Sequence, residues 1–327
     1  MPTKTVIEAI REGLAEEMRR DDRVIVLGED VGTAGGVFGA TVGLQTEFGV
    51  ERVIDAPLAE SCIVGVAIGA AFNNVRPVAE IQFMDFIHPA MNQIMNEAAR
   101  IRYRSAGDFC CPIVVRVPFG GGVHGGLYHS QSIEALFCHI PGLKCVAPSS
   151  PYDAKGLLKA AIRDDDPVIF CEHKRTYRLI KGEVPDGDYA VPIGKAIVRR
   201  AGTRITVLTY GLMVHYALEA AESAAAKDID VEVVDLRTLR PLDTELILES
   251  VRKTGKVLIV HEANKTGGIG GEIAALISEE AFDALDGPVT RLCAPDVPAM
   301  GYAPVFEQAF LPNASRIEAA LTTLAEY

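Results

Sequence analysis

No run of this sequence is both apolar and long enough to cross a bilayer. The longest uninterrupted apolar stretch, Cys62 to Phe72, is rich in Gly and Ala and falls well short of the ~18 residues that a span requires, so it reads as a buried helix. Basic residues are in deficit, 32 Lys and Arg against 44 Asp and Glu. The resulting formal charge of −12 repels phosphate backbones and anionic lipid surfaces, and neither nucleic acid nor membrane is expected as a partner. The seven cysteines form no C-x-x-C pair and stand at no metal-ligand spacing from a histidine, which leaves them as reduced, mostly buried thiols. A Walker A loop, a His-Glu-x-x-His helix and a Gly-x-Ser-x-Gly elbow are all missing, so the common phosphoryl-transfer, zinc and serine-nucleophile chemistries lack their minimal parts. Where a targeting peptide would be basic, the first helix carries Glu8, Glu12, Glu16 and Glu17, and cytoplasmic residence is the expectation. There is no fixed-period repeat, low-complexity tract or coiled-coil heptad.

What remains describes a packed α/β protein. Hydrophobic side chains make up 49% and charged ones 23% of the 327 residues, enough apolar material for two domains that each bury a core. Thr5-x-x-Glu8 is a capping box, and Ile7, Ile10, Leu14 and Met18 follow at helical spacing, so an amphipathic helix opens the chain. Short β-rich runs follow at Val24 to Leu27, Arg52 to Asp55, Val78 to Phe83, Ile113 to Val117, Lys144 to Ala147 and Val168 to Cys171. Between most of them lie helical patterns, at Glu60 to Phe72, Pro89 to Tyr103, Ser132 to His139 and Pro151 to Arg163. Alternation of this kind, with strands apolar on both faces, implies a mainly parallel sheet covered on both sides. Lys181 to Pro192 is rich in Gly, Pro and Asp and reads as the connection to a smaller α/β domain. The expected division is a first domain over 1–185, a linker over 186–200 and a second domain over 201–327.

Several residues could carry chemistry. Glu60 stands between Ala56-Pro-Leu-Ala59 and an apolar Gly/Ala-rich helix. It is either a first-turn acid favoured by the helix dipole or a carboxylate in low-dielectric surroundings, able to bond a ring nitrogen of a cofactor. His129 follows the glycine-rich stretch Gly120 to Gly126 and precedes a helix, a placement that suits an acid or base on a loop and equally a capping histidine. Phe86 falls where a strand ends and a helix begins, the edge at which open α/β sheets bind ligands; it either stacks on a flat heterocycle or packs in the core. Asp164-Asp165-Asp166 crowds three acids at the negative end of a helix, where either water or a cation must answer them. Gly120-x-Gly122-x-x-Gly125 formally matches the dinucleotide fingerprint, but Lys144 to Ser150 offers no carboxylate for a ribose. A nicotinamide-dependent oxidoreductase and a non-catalytic docking scaffold are the alternatives from other functional classes.

Taken together the segments resemble the β subunits of 2-oxo acid dehydrogenase decarboxylases, in the transketolase-like, thiamine-diphosphate-dependent family. The resemblance runs almost end to end, on Gly28-Glu-Asp-Val-Gly32, Gly35-Gly-Val-Phe38, Asp55-Ala-Pro-Leu-Ala-Glu60, Arg76-Pro-Val-Ala-Glu80, His129-Ser-Gln-Ser132, Asp153-Ala-Lys-Gly-Leu157 and Asp235-Leu-Arg-Thr-Leu239. It implies a mainly parallel-sheet, pyrimidine-binding domain followed by a transketolase C-terminal domain. By resemblance, Glu60 bonds the aminopyrimidine ring of thiamine diphosphate and so promotes loss of the thiazolium C2 proton. Leu58, Gln82 and Phe86 line the pyrimidine pocket, and His129 acts on the intermediate and in passing the acyl group to a lipoyl arm. Ile113, Ala161, Ile162, Asp164 and Asp166 match a structural potassium site, although relatives often carry an amide where Asp166 stands. One departure is Asn74, at a turn where the family usually has glycine; Asn tolerates the left-handed conformation better than other residues do.

The chain contains no Gly-Asp-Gly, the motif with which the family holds Mg²⁺ and the diphosphate. Resemblance therefore assigns that half of the site to an α subunit in an α2β2 heterotetramer, which serves a lipoyl acyltransferase core. The stretch Lys174 to Pro185 and the tail Asp296 to Pro304 look like the branched-chain, 2-oxoisovalerate subgroup. Pyruvate and acetoin relatives share nearly everything else.

Overall fold

A strand needs partners for its backbone amides, and the apolar runs of this chain find theirs in two separate sheets. The computed structural model describes every residue from Met1 to Tyr327, and the chain divides into two compact units, residues 1–119 with 136–193 and residues 120–135 with 194–327. The first unit contains β1 (Thr3–Thr5), β2 (Val24–Gly28), β3 (Val53–Asp55), β4 (Arg76–Glu80), β5 (Val114–Phe119), β6 (Lys144–Val146), β7 (Val168–His173) and β8 (Lys181–Glu183). Its helices are α1 (Val6–Arg20), α2 (Leu44–Phe48), α3 (Glu60–Ala71), α4 (Ile101–Arg104), α5 (Glu134–Cys138, which begins in the other unit), α6 (Pro151–Arg163) and α7 (Thr176–Leu179). The main sheet runs β6-β7-β5-β4-β2-β3 with every pair parallel. β5 and β7 are buried at every residue, as strands covered on both faces must be.

The capping box starts α1 as the sequence implies: Glu8 N donates to Thr5 Oγ1, and Thr5 N donates to Glu8 Oε2 at 2.8 Å. Ile10, Leu14 and Met18 share a buried cluster with Leu157, Leu158 and Ala161 of α6, each larger side chain contributing about 1.5–3 kcal/mol by burial. Lys155 and Lys159 pair with Glu16 along this seam, and Arg163 pairs with Glu17. Of the cysteines, Cys111, Cys138, Cys145, Cys171 and Cys293 are buried, Cys110 is half-buried and Cys62 is exposed, all as free thiols. Burial pushes the Cys111 thiol up to about 12, which keeps it protonated and inert.

Two local readings differ from the structure. Pro89 to Tyr103 is not one helix: a 3₁₀ turn at His88–Ala90, a π-helix over Gln93–Ala98 and α4 share it. The break falls where the Ala99 carbonyl meets Gly142, at which a Cβ would stand only 2.0 Å from that oxygen. The polar stretch from Lys181 also holds ordered structure, because β8 satisfies the amides of β1 in an antiparallel pair. At the turn before β4, Asn74 adopts φ 65°, the left-handed conformation that asparagine tolerates.

The second unit contains β9 (Ile197–Arg200), β10 (Ile205–Thr209), β11 (Val231–Asp235), a short β12 (Thr238–Arg240), β13 (Val257–Asn264) and β14 (Thr290–Ala294). Its helices are α8 (Met213–Ala225), α9 (Thr244–Thr254), α10 (Ile269–Glu280), α11 (Pro304–Phe310) and α12 (Ala314–Ala325). Strand order is β14-β13-β10-β11-β9, parallel except for the edge strand β9. Ile317, Leu321 and Leu324 of α12 pack with Met213, Ala217 and Ala221 of α8 over this sheet. No helix of the chain is long and apolar enough to cross a membrane.

Candidate active site

In the first unit, chemistry gathers at the C-terminal ends of β2, β3 and β4, the edge where parallel sheets bind ligands. β2 passes so close to β4 that a Cβ at Gly28 would stand 2.7 Å from the Glu80 carbonyl oxygen. Beyond it the chain turns at Asp30, φ 58°, and Asp55 at the end of β3 accepts from Gly32 N at 2.6 Å. Glu60 opens α3 without a side-chain cap and is half-buried. Burial lifts the pKa of neighbouring Glu29, and the charges of Glu60 and then Asp30 lift it further, so the three carboxyl groups feel one another. The Gln82 amide donates to Asp30 Oδ2 at 3.3 Å.

An aromatic wall completes this edge. Phe86 and Phe83 meet edge to face at 5.5 Å, Phe83 and Phe38 at 5.4 Å, and Phe38 and Tyr177 at 5.2 Å. Phe86 keeps part of its surface exposed, and Leu58, on the turn before α3, is 80% exposed. The structure thus brings Glu60, Gln82, Phe86 and Leu58 to one edge of one sheet, where a flat heterocycle could meet a carboxylate, an amide and an apolar surface. Beneath the wall Arg116 is buried between Glu80, at 2.5 Å, and Glu172, at 2.7 Å, and Tyr177 donates to Glu172 at 2.6 Å. Burial alone would lower the guanidinium's pKa, but the charges of Glu172 and Glu80 more than offset it and hold the group firmly protonated. Sequence reasoning missed this triad; the signal was a lone Arg inside the apolar run Val114-Val-Arg-Val117, which burial obliges to be paired.

His129 belongs to the second unit, on the segment 120–135. It is half-buried, just after a 3₁₀ turn at Gly126–Tyr128. The glycine-rich start of this segment is not an open anion cradle, because carboxylates already occupy its amides: Gly121 N donates to Glu262, and Gly122 N and His124 N donate to Glu307. That weighs against the dinucleotide reading of Gly120, Gly122 and Gly125. A cavity of about 240 Å³ lies alongside, lined in part by Leu127, Ser130, Ser132, Glu262 and Met300.

At the far end of the segment Glu134 is fully buried and accepts from the Tyr210 hydroxyl. Burial pushes its pKa up to about 7 against the Tyr210 bond, and the charge of Glu262 adds to the rise. An acid with a raised folded pKa contributes stability that is complete below its unfolded value and is lost as pH rises through the folded one. Stability is therefore expected to fall by roughly 3 kcal/mol between the ordinary value of 4.5 and about 7, and Glu134→Gln to flatten that fall. Urea midpoints across the interval test this; an identical slope in both proteins would remove Glu134 as its source.

Around the crowded acids, Lys144 Nζ lies 2.7 Å from both carboxylate oxygens of Asp164 and 3.6 Å from Asp166. Arg102 Nε lies 2.5 Å from Asp166, and Arg76 pairs with Asp165 at 2.6 Å. Arg76 also donates to the Ile162 and Asp164 carbonyls at 3.0 Å each. The Ile113 and Ala161 carbonyls accept from Val168 N and Asp164 N. Three basic side chains, none of them singled out by sequence reasoning for this role, thus answer the acids.

Residues 3–180 match the transketolase pyrimidine-binding domain, and residues 194–317 match the transketolase C-terminal domain. The 2-oxoisovalerate dehydrogenase subunit beta of Bacillus subtilis (strain 168) is 62% identical over 100% of both chains. The pyruvate dehydrogenase E1 component subunit beta of the same organism is 50% identical, over 90% of this chain and 91% of that protein. The acetoin:2,6-dichlorophenolindophenol oxidoreductase subunit beta of Cupriavidus necator is 48% identical, over 95% and 94% respectively. Among solved structures, a split-gene transketolase described as an inactive beta4 tetramer superposes with a TM-score of 0.81 at 24% identity, covering 98% of each chain; at that identity it speaks for the fold alone. Both transketolase domains in order, together with a full-length relative at 62% identity, make the chain a member of the transketolase-like family, among the β subunits of the 2-oxo acid dehydrogenases.

Proposed function

We propose that this chain is the β subunit of a 2-oxoisovalerate dehydrogenase, which decarboxylates a branched-chain 2-oxo acid with thiamine diphosphate and passes the acyl group to the lipoyl arm of an acyltransferase. The observation that carries the reading is the edge at which Glu60, Gln82, Phe86 and Leu58 meet: it offers a pyrimidine-sized heterocycle a carboxylate for a ring nitrogen and an apolar surface to lie on. Thiamine diphosphate, when bound, supplies the electron sink that a 2-oxo acid needs to lose carbon dioxide and that no side chain provides. Glu60 holds the ring and its proton balance, Phe86 and Leu58 keep water from its faces, and Gln82 orients it. His129 serves as acid or base when the acyl group leaves for the lipoyl arm.

The charged end of that cofactor falls to a partner in this proposal. The absence of Gly-Asp-Gly supports an α subunit that holds Mg²⁺ and the diphosphate, in an α2β2 assembly. Exposed Cys62, Val66 and Gly69 along one side of the apolar helix α3 support a subunit contact there, since such a face gains by losing water. A structural potassium at Ile113, Ala161, Ile162, Asp164 and Asp166 would have to use the remaining carbonyl lone pairs, because Lys144 and Arg102 already neutralise the carboxylates.

The higher identity to the 2-oxoisovalerate relative, 62% against 50% for the pyruvate one, favours the branched-chain substrate. Reconstituted with an α subunit, the protein is expected to have a kcat/KM for 2-oxoisovalerate about tenfold or more above that for pyruvate, which lacks two methyl-sized groups, since even one methylene in an apolar pocket is worth about 10–200-fold. Side-by-side initial rates, in potassium and in sodium buffers, test this; a preference for pyruvate would move the chain to the other branch of its family, and equal rates in the two salts would count against the potassium site.

A further inference from the structure

We propose that Glu307 is a positioning residue for His129, gripping from α11 the glycine-rich start of the segment that delivers the histidine. The inference rests on the reading of His129 given above and names what holds that residue in place. Segment 120–135 contains only one short 3₁₀ turn before α5, so its own backbone ladder cannot fix it. Its mouth is closed by Gly120 N donating to the Gln131 carbonyl at 3.1 Å. Distant carboxylates anchor its first residues. Glu307 Oε1 accepts from Gly122 N at 2.8 Å and from His124 N at 3.1 Å, and Glu307 Oε2 lies 2.8 Å from His124 Nδ1. Gly121 N donates to Glu262.

Glu307 is 4% exposed, although its neighbours Val305 and Phe306 lie largely in solvent. A carboxylate withdrawn from water in this way is costly unless donors meet it, and the donors to Glu307 described above all lie on the His129 segment. Close packing transmits the grip to the histidine. A Cβ at Gly125 would stand 2.8 Å from both the Cβ and the carbonyl oxygen of His129, and one at Gly126, φ 63°, would stand 3.2 Å from the Tyr302 ring. The backbone of 125–126 is thus wedged between His129 and the turn that leads into α11. Loss of the carboxylate removes the acceptor shared by Gly122 N and His124 N, and the slackened start of the segment shifts the histidine off its position. Misplacement of about 1 Å can cost up to 10²-fold in a reaction step.

The test uses the heteromer reconstituted with its α subunit, with 2-oxoisovalerate and two readouts: reduction of 2,6-dichlorophenolindophenol, which needs no lipoyl arm, and acylation of a free lipoyl domain. Glu307→Ala is expected to slow lipoyl acylation about tenfold or more while the dye-linked rate changes much less. Glu307→Gln, which keeps an oxygen for the two amides, should recover most of the loss. In the double variant with His129→Ala, the Glu307→Ala change should add nothing further, because both act through one side chain. Equal losses in the two readouts, or additive losses in the double variant, would reduce Glu307 to a general stabiliser and overturn the proposal. If His129→Ala slows acylation and the Glu307 variants do not, positioning fails while the reading of His129 survives. If His129→Ala itself leaves acylation intact, both fail together. Should Glu307→Ala not fold, Gly125→Ala disturbs the same histidine without touching α11 and must produce the same selective loss.

Discussion

Glu60→Ala in the reconstituted heteromer is expected to lower thiamine-diphosphate-dependent decarboxylation by about 10²- to 10⁴-fold, the range that one positioned proton-transfer group supplies. The variant should still fold and assemble. Glu60 makes no capping bond to α3 and is only half-buried, so its removal leaves no buried donor unsatisfied and no large cavity. Its neighbours argue for a role in binding rather than packing. Packing alone gives no reason to gather carboxyl groups that repel one another, yet burial and the charge of Glu60 both raise the pKa of half-buried Glu29. A base-bearing heterocycle at that edge would answer this arrangement, as groups with perturbed ionisation cluster where chemistry is done. Steady-state rates, with assembly checked by gel filtration, decide the matter; a Glu60→Ala heteromer with full activity would take Glu60 out of the reaction and leave the aromatic edge without a function.

The largest expected effect on stability lies beneath that edge. Arg116→Met should destabilise the protein by about 3–5 kcal/mol, the usual cost of removing one partner of a buried ion pair, out of a total of roughly 5–15 kcal/mol for a domain. Methionine fills much of the volume, so the loss comes chiefly from stranding Glu80 and Glu172 without their cation. Burial already raises the pKa of Glu80, and the charge of Arg116 is the main force opposing that rise. Without the guanidinium Glu80 should hold its proton to still higher pH in the folded state. An acid of raised folded pKa stabilises at low pH and ceases to do so as pH climbs through its folded value. The deficit of Arg116→Met should therefore be smaller at pH 5 than at pH 8. Denaturant midpoints at the two values measure it, and a deficit that grows on acidification would contradict the account. Replacing Arg116, Glu80 and Glu172 together with apolar residues of similar volume should recover much of the loss, since no charge then remains to be desolvated.

What sequence reading recovers and what it misses divide along a physical line. α6 begins and ends at Pro151 and Arg163 as its pattern implies, because Ser150 caps it by accepting from Asp153 N and both signals lie within one turn. The π-helical Gln93–Ala98 escapes the same reasoning, because the chain there yields to Gly142, more than forty residues away. Glu29 was visible only as a letter in the motif Gly28-Glu-Asp-Val-Gly32 until folding set it within reach of the charge of Glu60. The three acids after α6 were noticed, but not that Lys144, Arg102 and Arg76 would converge on them.

The amino-acid sequence alone determined the alternation of strands and helices, the two α/β units and the family, since capping, periodicity and motif spacing are local properties that a linear reading can follow. Only the tertiary structure decided which charges meet: Arg116 between Glu80 and Glu172, and Glu307 on amides separated from it by 183 and 185 positions. Burial requires that each such charge be paired, but pairing across that distance depends on the route of the whole chain, and no window of neighbouring residues contains it.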